Sequence, residues 1–163
     1  MENFKTRFVS IHDSHFQKVY RLCLGYTNGD PDDAKDLTQE VFIKIWGNLK
    51  NFRQEANIST WIYRITVNTC LLKIRKEKKF KKQPLDFDIP VVENTGVPDR
   101  KIFLDEMYRC IAKLEKKDKA VILMTLEGLA QKEIADVMGV SHEAIRIQVY
   151  RIKKKLIKCT HNG

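Results

Sequence analysis

His142, Arg146, Tyr150 and Lys154 follow one another at four-residue steps, with Ile147 and Arg151 beside them. On a helix these six side chains share one broad outward face. They offer no nucleophile paired with a base and no ligand set for a metal, so bond-breaking chemistry is not what they suit. They suit recognition of a polyanion: guanidinium groups in the first half of the helix can address base edges, and lysine behind them can hold phosphate.

The neighbouring residues supply what would position that face. Ile145, Val149, Ile152 and Leu156 form an inward stripe on the same helix. Ser141 is placed to cap it, and Glu143 lies in its first turn, favourable against the helix dipole. Before it, Ile134, Val137 and Met138 mark one face of a short helix, Gly139 offers a left-handed C-cap, and Val140 is expected to bury beneath the turn. Short helix, tight turn and longer basic helix make the layout of a DNA-binding helix-turn-helix.

Composition agrees with such a partner. The chain has 163 residues and a formal net charge of +9, which favours nucleic acid or an anionic membrane surface. No apolar run reaches transmembrane length, and the first residues lack a signal peptide's apolar core, so a cytoplasmic location is expected. The four cysteines, at 23, 70, 110 and 159, are scattered without Cys-x-x-Cys spacing, so neither a metal nor another cofactor is expected. Cys70 and Cys110 sit in helical apolar patterns and read as buried thiols.

Helical periodicity covers nearly everything else. A first helix is expected from about Phe4 to Gly25, with Phe8, Ile11, Phe16, Val19, Leu22 and Cys23 inward. Asp30 caps a second helix that has Pro31 at its first position and an apolar stripe of Ala34, Leu37, Val41, Ile45 and Leu49, widened by Phe42 and Trp46. A loop runs from about Lys50 to Asn57. Ser59 is then expected to cap a third helix, with Trp61, Ile62, Ile65, Cys70, Leu72 and Ile74 as its apolar positions. Three of the four prolines fall between Gln83 and Pro98, where helical period is lost and Asp86, Asp88 and Glu93 appear. Two more helices, near 99–115 and 117–127, precede the helix-turn-helix. The expected fold is all-α: two small helical domains, 1–82 and 99–163, joined by a flexible linker at 83–98.

By these residues alone, a dimeric helix-turn-helix regulator and a DNA recombinase or nuclease are alternatives. The first leaves the acidic face of the second helix unused and shows no dimer seam. The second needs a nucleophile with clustered arginines, or carboxylates gathered on a metal, and the N-terminal half has neither.

The run Asp33-Ala34-Lys35-Asp36-Leu37-Thr38-Gln39-Glu40-Val41-Phe42-Ile43-Lys44-Ile45-Trp46, followed by Ser59-Thr60-Trp61-Ile62-Tyr63-Arg64-Ile65 and Asn68, closely resembles region 2 of bacterial sigma factors. The group it resembles is the small extracytoplasmic-function (ECF) one, which has only regions 2 and 4; the stretch from Leu114 to Leu156 resembles region 4. The resemblance implies a non-enzymatic specificity factor for transcription initiation, acting on promoter DNA with no small-molecule substrate. Its core RNA polymerase partner would be held through the β′ coiled coil and the β flap.

Residue by residue, the resemblance places polymerase docking on Asp36, Gln39, Glu40 and Ile43. It places the −10 element on Arg64 and Asn68, with Lys73, Arg75, Lys76, Lys78 and Lys79 as a phosphate strip. The −35 element falls to His142, Arg146, Ile147, Tyr150, Arg151 and Lys154. The Lys50–Ile58 loop matches the segment that captures a flipped base, where Phe52 is either an apolar wall or a core aromatic; Trp61 reads as core. Tyr63 alone remains of the aromatics that help melt the duplex in housekeeping sigma factors. Ile147 stands where a small polar residue is frequent, and Gln148 where Arg is common, which implies an altered promoter preference. Linker acids could mimic nascent RNA. An anti-sigma protein, in this group often membrane-anchored, is the implied controller.

Overall fold

Each helix begins and ends for a local reason. A computed structural model describes residues 3–53, 57–80 and 98–162, the side chains of 78–80, 98–104 and 162 excepted. Helix α1 (Phe4–Tyr26) starts where the Asn3 side chain accepts the Lys5 N–H. It stops at a turn in which Asn28 and Gly29 both take positive φ. Helix α2 (Pro31–Asn48) opens as expected, the Asp30 carboxylate accepting from the Asp32 and Asp33 amides with Pro31 at the first position. A single 3-10 turn at Leu49–Asn51 leads out of it.

Helix α3 (Ile58–Phe80) departs from expectation at its start. The cap is Asn57, whose side chain accepts the Ser59 N–H at 2.9 Å. Ser59 lies inside the first turn, and its hydroxyl is 3.0 Å from His15 Nε2 on α1. The buried arc of α3 is Ile62, Tyr63, Thr66, Val67, Thr69 and Cys70. Leu72, expected inward, is exposed, because it lies on the opposite side of the helix from Cys70 and none of the described elements passes over it. Threonine hydroxyls on this arc satisfy themselves on the preceding turn, Thr66 on Ile62 O and Thr69 on Ile65 O.

The second half holds α4 (Pro98–Ala112), α5 (Lys116–Leu126), α6 (Gln131–Met138) and α7 (His142–Asn162). Gly139 closes α6 in the left-handed conformation at φ +71°, and its N–H returns to Ala135 O. Ser141 caps α7 through a 3.1 Å bond from the Ala144 N–H. Val140 differs from expectation: it is 47% exposed, since the turn is already closed by backbone bonds and, among the described residues, nothing packs above it. Cys110 is not a free thiol. It forms a disulfide with Cys159, joining α4 to the last turns of α7. Cys23 and Cys70 are the free, buried pair.

The two halves are in contact. Their buried apolar residues form one continuous cluster, from Val19, Leu22 and Ile62 into Ile111, Leu123 and Ile134. Gly25 makes this approach possible: a Cβ there would overlap the buried Leu123 side chain. Arg21 on α1 pairs with Glu127 at 2.7 Å, and the Lys119 ammonium lies 5.6 Å from the centre of the Tyr26 ring. Residues 54–56 of the loop and 81–97, most of the expected linker, lie outside the described residues, as do the side chains of Lys78 and Lys79.

Candidate nucleic-acid and polymerase interfaces

The face of α7 is built as the sequence requires. Ile145, Val149 and Ile152 are buried against α5 and α6, which leaves His142, Arg146, Ile147, Tyr150, Arg151 and Lys154 exposed together. Tyr150 is 60% exposed, and the Lys154 ammonium sits 4.7 Å from its ring centre, holding both side chains against the helix surface. Arg146 reaches only Glu143, at 3.5 Å and with both groups exposed, a weak restraint that DNA can replace. Gln148 behaves differently from its neighbours. Its amide donates to Asp118 of α5 at 2.9 Å, and Lys155 approaches the same carboxylate at 3.5 Å. This position therefore ties α7 to α5 instead of facing outward with the six exposed residues.

On α3 the expected −10 residues are split. Asn68, Arg75 and Lys76 are exposed, and Lys73 is half-buried with its ammonium 4.0 Å from Glu77. Arg64 is already engaged: its Nη2 donates to Asp136 O at 2.7 Å and its Nε to Val137 O at 3.5 Å. Those carbonyls belong to the C-terminal turn of α6, the negative end of that helix dipole. An arginine expected to hold phosphate thus holds carbonyl oxygens of the other half. Tyr63, beside it, is buried in the same junction. Burial, and then the nearby Glu133 and Glu127 charges, push its phenol above the ordinary value. Phe52 is half-buried, 4.9 Å from Trp61 centre to centre, with the Arg7 guanidinium 5.7 Å from its own ring centre. Both aromatics pack on the core.

The third patch is on α2. Asp36, Gln39, Glu40 and Ile43 are exposed, Ile43 by 64%, and Glu40 reaches Lys44 only at 3.8 Å. Beside them is a feature that patterning by residue type does not reveal. An open cavity of about 420 Å³ is lined by Phe8, His12, Phe16, Phe42 and Trp46, with Gln39 and Ile43 on its rim. Phe8, His12 and Phe16 recur every four residues on α1, and Phe42 and Trp46 do so on α2. That double spacing was the available signal, but it reads equally as core. Trp46, 45% exposed, stands edge-on to Phe4 and Phe8, so the widened stripe of α2 opens to solvent.

Comparison with known proteins gives this geometry a family. Residues 11–80 match the model for sigma-70 region 2, and residues 104–156 match the model for sigma-70 region 4. The RNA polymerase sigma factor SigZ of Bacillus subtilis is 30% identical over 152 residues, covering 90% of this chain and 85% of that protein. The ECF sigma factor SigM of Mycobacterium tuberculosis is 25% identical, over 93% of this chain and 76% of its own. The ECF sigma factor SigE of Mycolicibacterium smegmatis is 29% identical over 87% of this chain, which spans 57% of that protein.

Among solved structures, CnrH in complex with the cytosolic domain of CnrY superposes with a TM-score of 0.74 at 20% identity, covering 99% of this chain and 91% of that one. The sigma factor RpoE of Bartonella quintana, bound to the anti-sigma factor NepR, gives 0.67 at 17% identity, over 92% of this chain and 96% of that one. With both regions matched in order across most of its length, the chain belongs to the ECF group of the sigma-70 family of bacterial RNA polymerase sigma factors.

Proposed function

We propose that this sigma factor reads the −35 element with His142, Arg146, Ile147, Tyr150, Arg151 and Lys154, and the −10 element with Arg64 and Asn68 backed by Lys73, Arg75 and Lys76. Core polymerase docks on Asp36, Gln39, Glu40 and Ile43, and Phe52 supports the base-capturing loop from its place on the core. The observation that carries this reading is the exposed α7 face, six side chains wide and held out by a buried apolar stripe. Residues 1–82 and 99–163 act as two DNA-reading units connected through 83–98. The protein works in the cytoplasm, where promoters are, and contributes binding energy and strand separation without covalent chemistry.

The packed arrangement bears on how it would work. Arg64 cannot hold phosphate and the α6 carbonyls at once, and Tyr63 cannot meet a base while buried in the junction. DNA reading at the −10 element therefore requires the halves to part, and docking on polymerase is the event that can supply the energy. An anti-sigma protein holding the halves together would oppose it.

The test is transcription reconstituted from core polymerase, the purified chain and sheared host DNA, with start sites mapped. Transcripts sharing two upstream motifs are expected, and both Asp36→Ala and Arg146→Ala should reduce them. Tight site-specific binding by the free protein, without any protein-dependent transcript, would instead indicate a stand-alone regulator.

A further inference from the structure

We propose that Cys110 and Cys159 form a reversible redox-modification site, a latch that closes the −35-reading unit into one covalent loop. The two residues are 49 apart in sequence, with 6.0 Å between their Cα atoms, and the segment between them contains the remainder of α4's last turn, α5, α6 and most of α7. Every residue assigned to the −35 element lies inside that loop, and Lys154, the closest in sequence, is five residues from Cys159. The bond therefore fixes the frame of the reader while leaving its DNA face untouched.

The need for a latch lies in the end of α7. After Leu156, which packs partly on the core, Ile157 is 58% exposed and Lys158 is exposed. Thr160 only bonds back to Ile157 O in its own helix. Among the described residues, α4 and α7 pack on each other, and Cys159 adds the covalent tie between the last turns of α7 and α4. Access differs between the partners: Cys159 is half-buried and Cys110 is buried, so a reagent in solution meets Cys159 first.

The chemistry balances with a hydroperoxide as oxidant. The Cys159 thiolate attacks the peroxide oxygen, giving a sulfenic acid and releasing the alcohol, or water from hydrogen peroxide. The Cys110 thiol then attacks that sulfur, forming the disulfide and expelling water. A dithiol reductant returns two electrons and two protons by exchange, becoming a disulfide itself. The other pair serves as an internal control. Cys23 on α1 and Cys70 on α3 are both free thiols and wholly buried. Reagents cannot reach them in the folded chain.

That this bond is a switch and not a permanent staple rests on the cytoplasmic role proposed above, since reducing compartments hold open all but transient or sensing disulfides. The experiment uses the full chain, treated with hydrogen peroxide or with dithiothreitol, then alkylated with iodoacetamide before and after denaturation and mapped by mass spectrometry. In the peroxide-treated protein Cys110 and Cys159 should resist alkylation and appear as one linked peptide pair. In the reduced protein Cys159 should alkylate while native, and Cys23 and Cys70 only after denaturation in both. Reduction should lower the melting temperature by about 10 °C. Cys110→Ser and Cys159→Ser should each remove that redox dependence, and Cys23→Ser should leave it.

Transcription with core polymerase, followed on warming, should persist in the oxidised form above the temperature at which the reduced form fails. Alkylation of both residues after peroxide, disulfides only between chains, equal melting temperatures, or a bond that millimolar reduced glutathione leaves closed would each overturn the proposal. A latch that forms and reopens in a protein that supports no transcription would instead sink the promoter-reading role and leave the modification site standing.

Discussion

Two helices of this protein carry the basic residues proposed to read DNA, and the structure treats them in opposite ways. Among the described residues the α7 face is uncovered by any other element, and Arg146 is restrained by an exposed pair to Glu143. The upstream end of α3 is occupied, Arg64 by the α6 carbonyls and Tyr63 by burial in the same junction. The lesson concerns what a cation recognises. A guanidinium aimed at phosphate oxygens is also satisfied by the unpaired carbonyls at a helix C-terminus, so one half of the molecule can hold the other's reader.

The largest effect should come from breaking the free side. Arg146→Ala is expected to reduce promoter-dependent transcripts roughly 10- to 100-fold, as loss of one base-reading arginine does. Melting temperature should stay unchanged, because the side chain is exposed. A variant that melts early would show that α7 is less independent of its DNA face than its packing indicates.

Next comes the junction itself. Gly25→Leu places a side chain where Leu123 already sits and should cost about 2 kcal/mol of the packed arrangement. Small-angle scattering should then report a larger radius of gyration, with helical circular dichroism retained. An unchanged radius would mean that the halves adjust around the insertion, and that Arg64 stays covered. Arg64→Ala should loosen the same junction more gently, by about 1 kcal/mol, since the side chain is largely exposed and its bonds are discounted for solvent. It should also weaken −10 recognition, so the variant opens more easily yet transcribes less. An increase in transcription would assign Arg64 to closure alone.

The smallest effect is alkaline. Tyr63 in the folded protein has its phenol raised above the ordinary tyrosine value, first by burial and then by Glu133 and Glu127. The folded state therefore prefers the protonated phenol. Its contribution is complete below pH about 10 and is lost as pH rises toward the folded value. Tyr63→Phe should flatten that part of the stability-pH curve measured by denaturant unfolding, and a slope left unaltered would place the titration on Tyr26 or Tyr108, which are raised for the same reason.

Much of the architecture was legible because it is local. The Asp30–Pro31 start, the Gly139 turn, the Ser141 cap and the inward stripe of α7 each depend on residues within one or two turns. Exposure of the six α7 residues follows from that stripe. Illegible were the features that join distant segments. Arg64 meets Asp136 across 72 residues and Cys110 meets Cys159 across 49, and helical periodicity carries no information on which faces meet. The misplacements of Leu72 and Val140 have the same root: an apolar residue is buried only where another element covers it, and among the described residues none does at either place. Ser59 was a plausible cap displaced by an equally good one two residues earlier, Asn57.

The bond from Arg64 to the end of α6 also bears on how the free protein meets the bulk chromosome. A chain with a net charge of +9 should adhere to any duplex, each phosphate it neutralises releasing counterions and steepening the salt dependence of binding. A guanidinium lodged against its own carbonyls neutralises no phosphate and so displaces no counterion from the duplex. While Arg64 is covered, that one contact is withheld from random sequence and the exposed α7 face is not, so a chain whose halves have parted should show a slope of affinity against salt steeper by about one phosphate contact.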